Sequence, residues 1–302
     1  MPTYSEIRRQ ELKHIEQSLK DDRKMKRELA KIYNSSLEDI QRHIDADIQR
    51  FAHKEGVSMA EAKRIISKTD VEAFQSTAKR YVEEKKTNPK VNKELRRFNV
   101  TMRTNRLELL QARINLDTVM LAWEEEQLTA KYITEEVIKE HIRQAGILGM
   151  TVPSRSQLET LARSVLLSDV SGATFSDRIW ANQNELRNNI NQAIERALIQ
   201  GRHPRNAAAS IKRLVRDEYG MKKRAADRIA ITEVARGQHI AMTQALKDAD
   251  IDKYIWIAES DACDDCAELD GEVFDVDEAE YTVPRHPFVV APQPLTLSSC
   301  GA

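Results

Sequence analysis

Ile15, Leu19, Met25, Leu29, Ile32, Leu37, Ile40, Ile44, Ile48 and Phe51 recur mostly at three- and four-residue steps, and the positions between them are heavily charged. That spacing predicts a narrow apolar stripe on one long helix over about 5–54, with Gly56 ending it. Ser58 with Glu61, and Thr69 with Glu72, stand at capping-box spacing, and the second pair leads a helix to about Lys86. Asn88-Pro89 then breaks the chain. Further helices are predicted over about 92–127 and 134–144, with Gly146 and Gly149 marking the end. Stripes this narrow suit packing of helix on helix, within the chain or against another copy, so self-association through the N-terminal helices is expected.

Pro153 opens a region of shorter helices. Ser176 is the predicted N-cap of a helix running to about Gln200, with Gly201 as its stop. His203-Pro204 restarts the chain, and helices are expected over about 206–219 and 222–247, separated at Gly220. Strand character appears only at Tyr254-Ile-Trp-Ile257 and again at Gly271-Glu-Val-Phe274. The expected fold is therefore mainly α. A long-helix assembly region over 1–150 precedes a helical α+β domain over 151–287, whose small β-hairpin carries a Cys-x-x-Cys turn, and 288–302 form a divergent tail.

Composition agrees with that reading. Gly and Pro number only 9 and 8 in 302 residues, and 31% of the chain is charged. No run of about 18 apolar residues is present, which excludes a membrane-spanning helix, and Met1 to Lys20 lacks the apolar core of a secretory signal. The formal net charge of −1 hides an asymmetry. Residues 51–100 carry 12 basic and 7 acidic side chains, 201–250 carry 11 and 6, and 251–302 carry 2 and 12. Lys222, Lys223 and Arg224 are the candidates for contact with DNA phosphates.

Three cysteines, an odd and sparse set, fit a reducing compartment better than a disulfide scaffold. Cys263 and Cys266 stand at the spacing that lets two thiolates reach one tetrahedral metal from a tight turn, with His286 as a third ligand. A structural zinc knuckle and a turn with two incidental or disulfide-forming cysteines both remain open. A thioredoxin-like motif does not, because no βαβ pattern surrounds it and Asp261, Asp264 and Asp265 would raise the thiol pKa.

The stretch from Ser176-Asp-Arg-Ile-Trp180 through Ile231-Thr-Glu-Val-Ala-Arg236 resembles the C-terminal domain of bacteriophage head morphogenesis proteins, the minor head proteins related to protein F of phage Mu. The resemblance continues through Lys253-Tyr-Ile-Trp256, Asp261-x-Cys263-x-x-Cys266-x-x-Leu269-Asp270-Gly271-x-x-Phe274 and Pro284-x-His286-Pro287. It implies a virion component present in few copies, made in the host cytoplasm and incorporated during head assembly beside the portal protein. It also implies partners among other head proteins and viral DNA, and no membrane. Trp180, Thr232, Glu233, Trp256 and Gly271 are the motif residues expected to be structural.

The family pattern His-Pro-x-Cys-Arg-Cys is replaced by His286-Pro-Phe-Val-Val-Ala291. From His286 to Ala302 only neutral residues and the histidine follow. Phe-Val-Val-Ala can be written TTT GTC GTT GCN, and one added T gives TTT TGT CGT TGC, Phe-Cys-Arg-Cys. A frameshifted tail and a divergent one are both compatible with these residues. Under the first, Cys263, Cys266 and His286 are remnants of a zinc site that is incomplete or weak. Thr232 and Glu233 lie beside Arg228 and Arg236, at a spacing that forms ion pairs on one helical face and ties the helix to the hairpin. With no zinc-protease, Walker or dinucleotide motif, a non-enzymatic head protein is expected. The alternative is an enzymatic or toxin-linked module, such as a transferase or nuclease, acting on host targets.

Overall fold

The computed structural model describes residues 4–52, 76–77, 106–199, 204–258 and 264–277. The capping boxes at Ser58 and Thr69, the helix to Lys86, Cys263, the Cys266 side chain, His286 and the tail after Pro287 lie outside what it describes. Four long or middle-length helices, α1 (Tyr4–Ala52), α2 (Arg106–Ile147), α4 (Phe175–Ile199) and α5 (Pro204–Asp248), dominate, with α3 (Arg155–Leu167) between α2 and α4. Strands β1 (Lys253–Ile255) and β2 (Val273–Asp275) follow, with a single helical turn, α6 (Asp264–Ala267), between them. The mainly helical class and the small hairpin are as expected. Among the described residues no helix is long and apolar enough to cross a membrane.

Two expected breaks are absent. Residues 128–133 continue α2 without interruption, because Thr134 does not cap a new helix. Its Oγ1 instead donates back to the Ala130 carbonyl at 2.8 Å, a bond made inside a helix. Gly220 likewise lies within α5, where one glycine costs only about 1 kcal/mol relative to alanine. Its neighbour Tyr219 is buried and holds the turn in place. The end of α2 follows the sequence: Gly149 adopts φ 65°, and Met150 N–H reaches the Ala145 carbonyl at 2.9 Å, closing a Schellman motif. Helix α4 starts one residue before the expected cap. Thr174 and Asp177 form a reciprocal box, with the Asp177 amide donating to Thr174 Oγ1 at 3.2 Å and the Thr174 amide to Asp177 Oδ2 at 3.1 Å.

The chain forms two compact units. The first comprises residues 1–28, 127–178 and 227–302, and the second 29–126 and 179–226. Helices of 42 to 49 residues are long enough to contribute to both.

In the second unit, Tyr33, Ile40 and Ile44 of α1 pack with Leu110, Ile114 and Leu121 of α2, Leu186, Ile190 and Ile194 of α4, and Ile211, Val215 and Tyr219 of α5. Here α1 runs antiparallel to α2: His43 Nδ1 lies 2.8 Å from Asp117 Oδ2, and Tyr33 O–H donates to Glu125 Oε2 at 2.8 Å. Gln183 Nε2 reaches both Tyr33 Oη, at 2.5 Å, and Glu125, at 2.6 Å. Burial and the neighbouring carboxylate hold the Tyr33 phenol far above its usual pKa.

In the first unit the same direction is set by His14 with Glu140 at 3.3 Å and by Glu11 with Arg143 at 2.7 Å. Here α2 and α5 approach closely: a Cβ on Gly237 would sit 3.0 Å from a Val137 methyl and 3.4 Å from one of Ile133.

Candidate functional site

Thr232 and Glu233 sit mid-way along α5 in the first unit. Thr232 is half-buried, and Glu233 is 1% exposed. Of the two arginines expected beside Glu233, only Arg236 pairs with it, through Nε at 2.8 Å. Arg228 is exposed, because an offset of five residues turns it well away from Glu233 on a helix. The second guanidinium comes from Arg178, in the first turns of α4, which donates to Glu233 Oε1.

Both arginines reach further. Arg236 donates to the Val165 carbonyl at 3.1 Å and to Ser168 Oγ at 2.7 Å, at the C-terminal end of α3. Arg178 donates to the Val170 carbonyl at 2.7 Å. The connection they grip is a tight reversal. Val170 and Ala173 exchange both backbone bonds, at 3.1 and 3.2 Å, around Ser171 at φ 54° and Gly172 at φ 78°. Two successive positive φ values make a type I′ turn, where glycine is favoured and a serine is strained. Glu233 therefore ties α5 to α3, α4 and their connection, not to the hairpin as the sequence suggested. Both of its carboxylate oxygens are taken by guanidinium donors, and the group is buried.

The hairpin carries the remaining motif residues. Strands β1 and β2 pair antiparallel, Tyr254 opposite Phe274. Trp256 is buried just beyond β1, with its ring centroid 5.9 Å from Phe274 and Leu269 and Ala258 in the same cluster. Gly271 adopts φ 87°, which glycine takes without strain, and its N–H bonds the Trp256 carbonyl at 2.8 Å. Asp270 accepts the Ala258 amide at 2.8 Å and both guanidinium nitrogens of Arg8, at 3.1 and 3.2 Å. Slight burial pushes the Asp270 carboxyl up, but Arg8 and the Ala258 amide together hold it below its ordinary value. Tyr254 joins the hairpin to α5, in one apolar cluster with Met242 and Leu246 and at 6.1 Å from the His239 ring. Burial alone drives His239 down to about 4. The run Leu269-Asp270-Gly271-x-x-Phe274 is thus the closure of the hairpin, each residue with a distinct contact.

Residues 188–289 match the family described as Phage Mu protein F like protein. The match covers 102 of the 302 residues and includes Thr232, Glu233, Trp256, Gly271, Cys263, Cys266 and His286. It supports the resemblance read from the motifs, and the family is one of structural proteins of phages, related to the head. No curated protein and no solved structure matches the chain.

The other candidate residues lie in the second unit. Trp180, before the matched stretch, is buried and donates its indole N–H to Glu126 Oε2 at 3.2 Å. Lys222 is buried and committed: Nζ stands 2.6 Å from Glu185, and its carbonyl accepts Asn182 Nδ2 at 3.1 Å. Lys223 is half-buried, and Arg224 is exposed. Among the described residues no group of three or more His, Cys, Asp or Glu could hold a metal ion. Sequence reasoning singled out Trp180 in the Ser176-to-Trp180 motif and missed Arg178 two residues earlier. The signal was there: an arginine inside a quoted motif, with a lone carboxylate in the other quoted motif to receive it.

Proposed function

We propose that this chain is a minor head protein of a phage or prophage, associated with the portal protein during head assembly and in contact with packaged DNA. The observation that supports the reading is the family match over 188–289, in which the motif residues have structural duties. Glu233 orders a connection and Asp270-Gly271 closes a hairpin, as suits a protein that works by shape. The reading is non-enzymatic for the same reason. Phosphate contact would fall to the exposed Arg224, since Lys222 is held by Glu185.

Mass spectrometry of purified virions tests the reading directly. The chain should be present at low copy and should co-purify with portal protein from assembly-stage lysates; absence from both would end it. DNA contact predicts a steep loss of binding between about 50 and 200 mM salt. In the metal reading, zinc is held by Cys263, Cys266 and His286 at less than one equivalent per chain, and Cys263→Ser removes it. A full, tightly held equivalent would show a complete site.

A further inference from the structure

The segment that joins β1 to β2 is strongly acidic. Glu259, Asp261, Asp264, Asp265, Glu268 and Asp270 fall within twelve residues, and no lysine or arginine stands from Tyr254 to Pro284. Like charges this dense repel one another and oppose compact packing. Apolar burial offers little resistance there, since Asp264, Asp265, Ala267 and Glu268 are all exposed.

The two ends of the segment nevertheless meet, and they meet at Asp270. Where the chain leaves β1, the Ala258 amide donates to Asp270 Oδ1 at 2.8 Å. Where it returns from α6, the Asp270 amide donates to the Ala267 carbonyl at 3.1 Å. The cation that this stretch lacks comes from 262 positions away in sequence. Arg8, in the second turn of α1, points both terminal guanidinium nitrogens at the Asp270 carboxylate, one on each oxygen. Residues 1–28 and 227–302 belong to the same compact unit, so this contact lies within it. Two lysines serve the opposite end of the hairpin: Lys253 stands 3.8 Å from Asp275, and Lys247 stands 2.6 Å from Asp277.

We infer that Arg8 is a conformational latch on the neck formed by Ala258 and Asp270, so that the order of this end of the hairpin is set from the N-terminal turns of α1. A partner that takes hold of those turns would loosen the neck without touching it. The latch works by charge: the guanidinium offsets local repulsion and fixes the carboxylate that receives the Ala258 amide.

The test compares full-length variants by hydrogen exchange over residues 256–258 and 264–272, and by cleavage after Glu268 with a glutamate-specific protease. Arg8→Ala puts a good helix former at a helical position, so α1 should stay folded. At about 50 mM salt both readouts should rise about threefold or more, the scale of a partly exposed bidentate pair. At about 1 M salt the gap from the parent should shrink to roughly half or less, because the repulsion and the pair are both screened. Lys253→Ala, at the opposite end, should leave both readouts as in the parent. Parent-like exchange and cleavage in Arg8→Ala would overturn the latch. So would a gap that salt leaves unaltered, or equal loosening by Lys253→Ala, which would mean that the hairpin responds to the loss of any nearby cation.

Discussion

The second unit is closed by aliphatic and aromatic side chains from four helices, with Tyr33, Glu125 and Gln183 as a hydrogen-bonded group inside it. The first unit places carboxylate–arginine networks where its helices and connections meet: Glu233 with Arg178 and Arg236, and Glu11 and Glu140 with Arg143. Apolar burial is non-directional and supplies most of the free energy of folding. Buried ion pairs add little net stability, because desolvation offsets the attraction, but removing one partner is costly. Beside an apolar core of its own, with Ile133, Val137, Val165 and Ile231 buried, the first unit thus carries directional contacts that select one arrangement of its connections.

The largest effect should come from Glu233→Ala, which leaves two guanidiniums without their carboxylate. A loss of roughly 3–5 kcal/mol is expected. Hydrogen exchange should rise across residues 168–174, the connection that Arg178 and Arg236 grip. Replacing all three groups at once, Glu233→Leu with Arg178→Met and Arg236→Met, should recover much of the stability while exchange in that connection stays fast. Full protection there in the triple variant would refute the view that the network sets arrangement.

Ile190→Ala in the second unit should cost about 2–5 kcal/mol by opening a cavity. Ile190 is completely buried in the apolar cluster. Here an apolar refill such as Ile190→Val should restore nearly all the stability, with no residual change in local exchange. A persistent local change would erase the contrast between the two units.

How much of this was legible in the chain follows from the range of each interaction. Helix α1 was readable because Ile15, Met25, Leu29, Ile40 and Ile44 are buried where the period puts them. The hairpin was readable because Tyr254, Trp256 and Phe274 lie within a short span. The Thr134 and Gly220 breaks were misread because threonine can bond back into its own helix and a single glycine is tolerable there. The networks were not readable from periodicity, and only the two quoted motifs pointed to Arg178 and Glu233. Arg178 lies 55 residues from Glu233, and Arg143 lies 132 from Glu11. No periodicity links such partners. Tyr33 and Glu11 also belong to the buried side of α1, yet a stripe defined by aliphatic residues passes over them.

The first unit should also respond to pH in two directions. Burial, with Glu136 and Asp21 nearby and Lys26 opposing, raises Asp22 from 3.8 to about 6. A raised pKa means that protonation favours the folded state, so this contribution is full below about 3.8 and is lost as pH rises through about 6. Glu140 behaves oppositely. Burial pushes it up, but His14 and Arg143 prevail and bring it to about 2, so its contribution is present above 4.5 and lost as pH falls through about 2. Asp22→Asn should therefore raise the melting temperature at pH 8 and change little at pH 4. Equal effects at both values would show that burial of Asp22 is not what the pH dependence reports.

The smallest effect concerns the cap of α4. Thr174→Ala removes the hydroxyl that accepts the Asp177 amide, and should cost about 1 kcal/mol. Its use lies in coupling. Thr174 adjoins the reversal at 170–173 that Arg178 holds through the Val170 carbonyl, so both groups order the same few residues. In a double-mutant cycle, Thr174→Ala and Arg178→Ala should fall short of additivity by about 0.5 kcal/mol or more, because once one is lost the other has less order to maintain. Ser154 provides the control. It caps the opposite end of α3 with a capping box of its own, 13 residues of helix and about 20 Å away. Ser154→Ala should add to Arg178→Ala within about 0.5 kcal/mol. If both cycles are additive, the connection is ordered by its own turn and the Glu233 network serves only to satisfy its own charges.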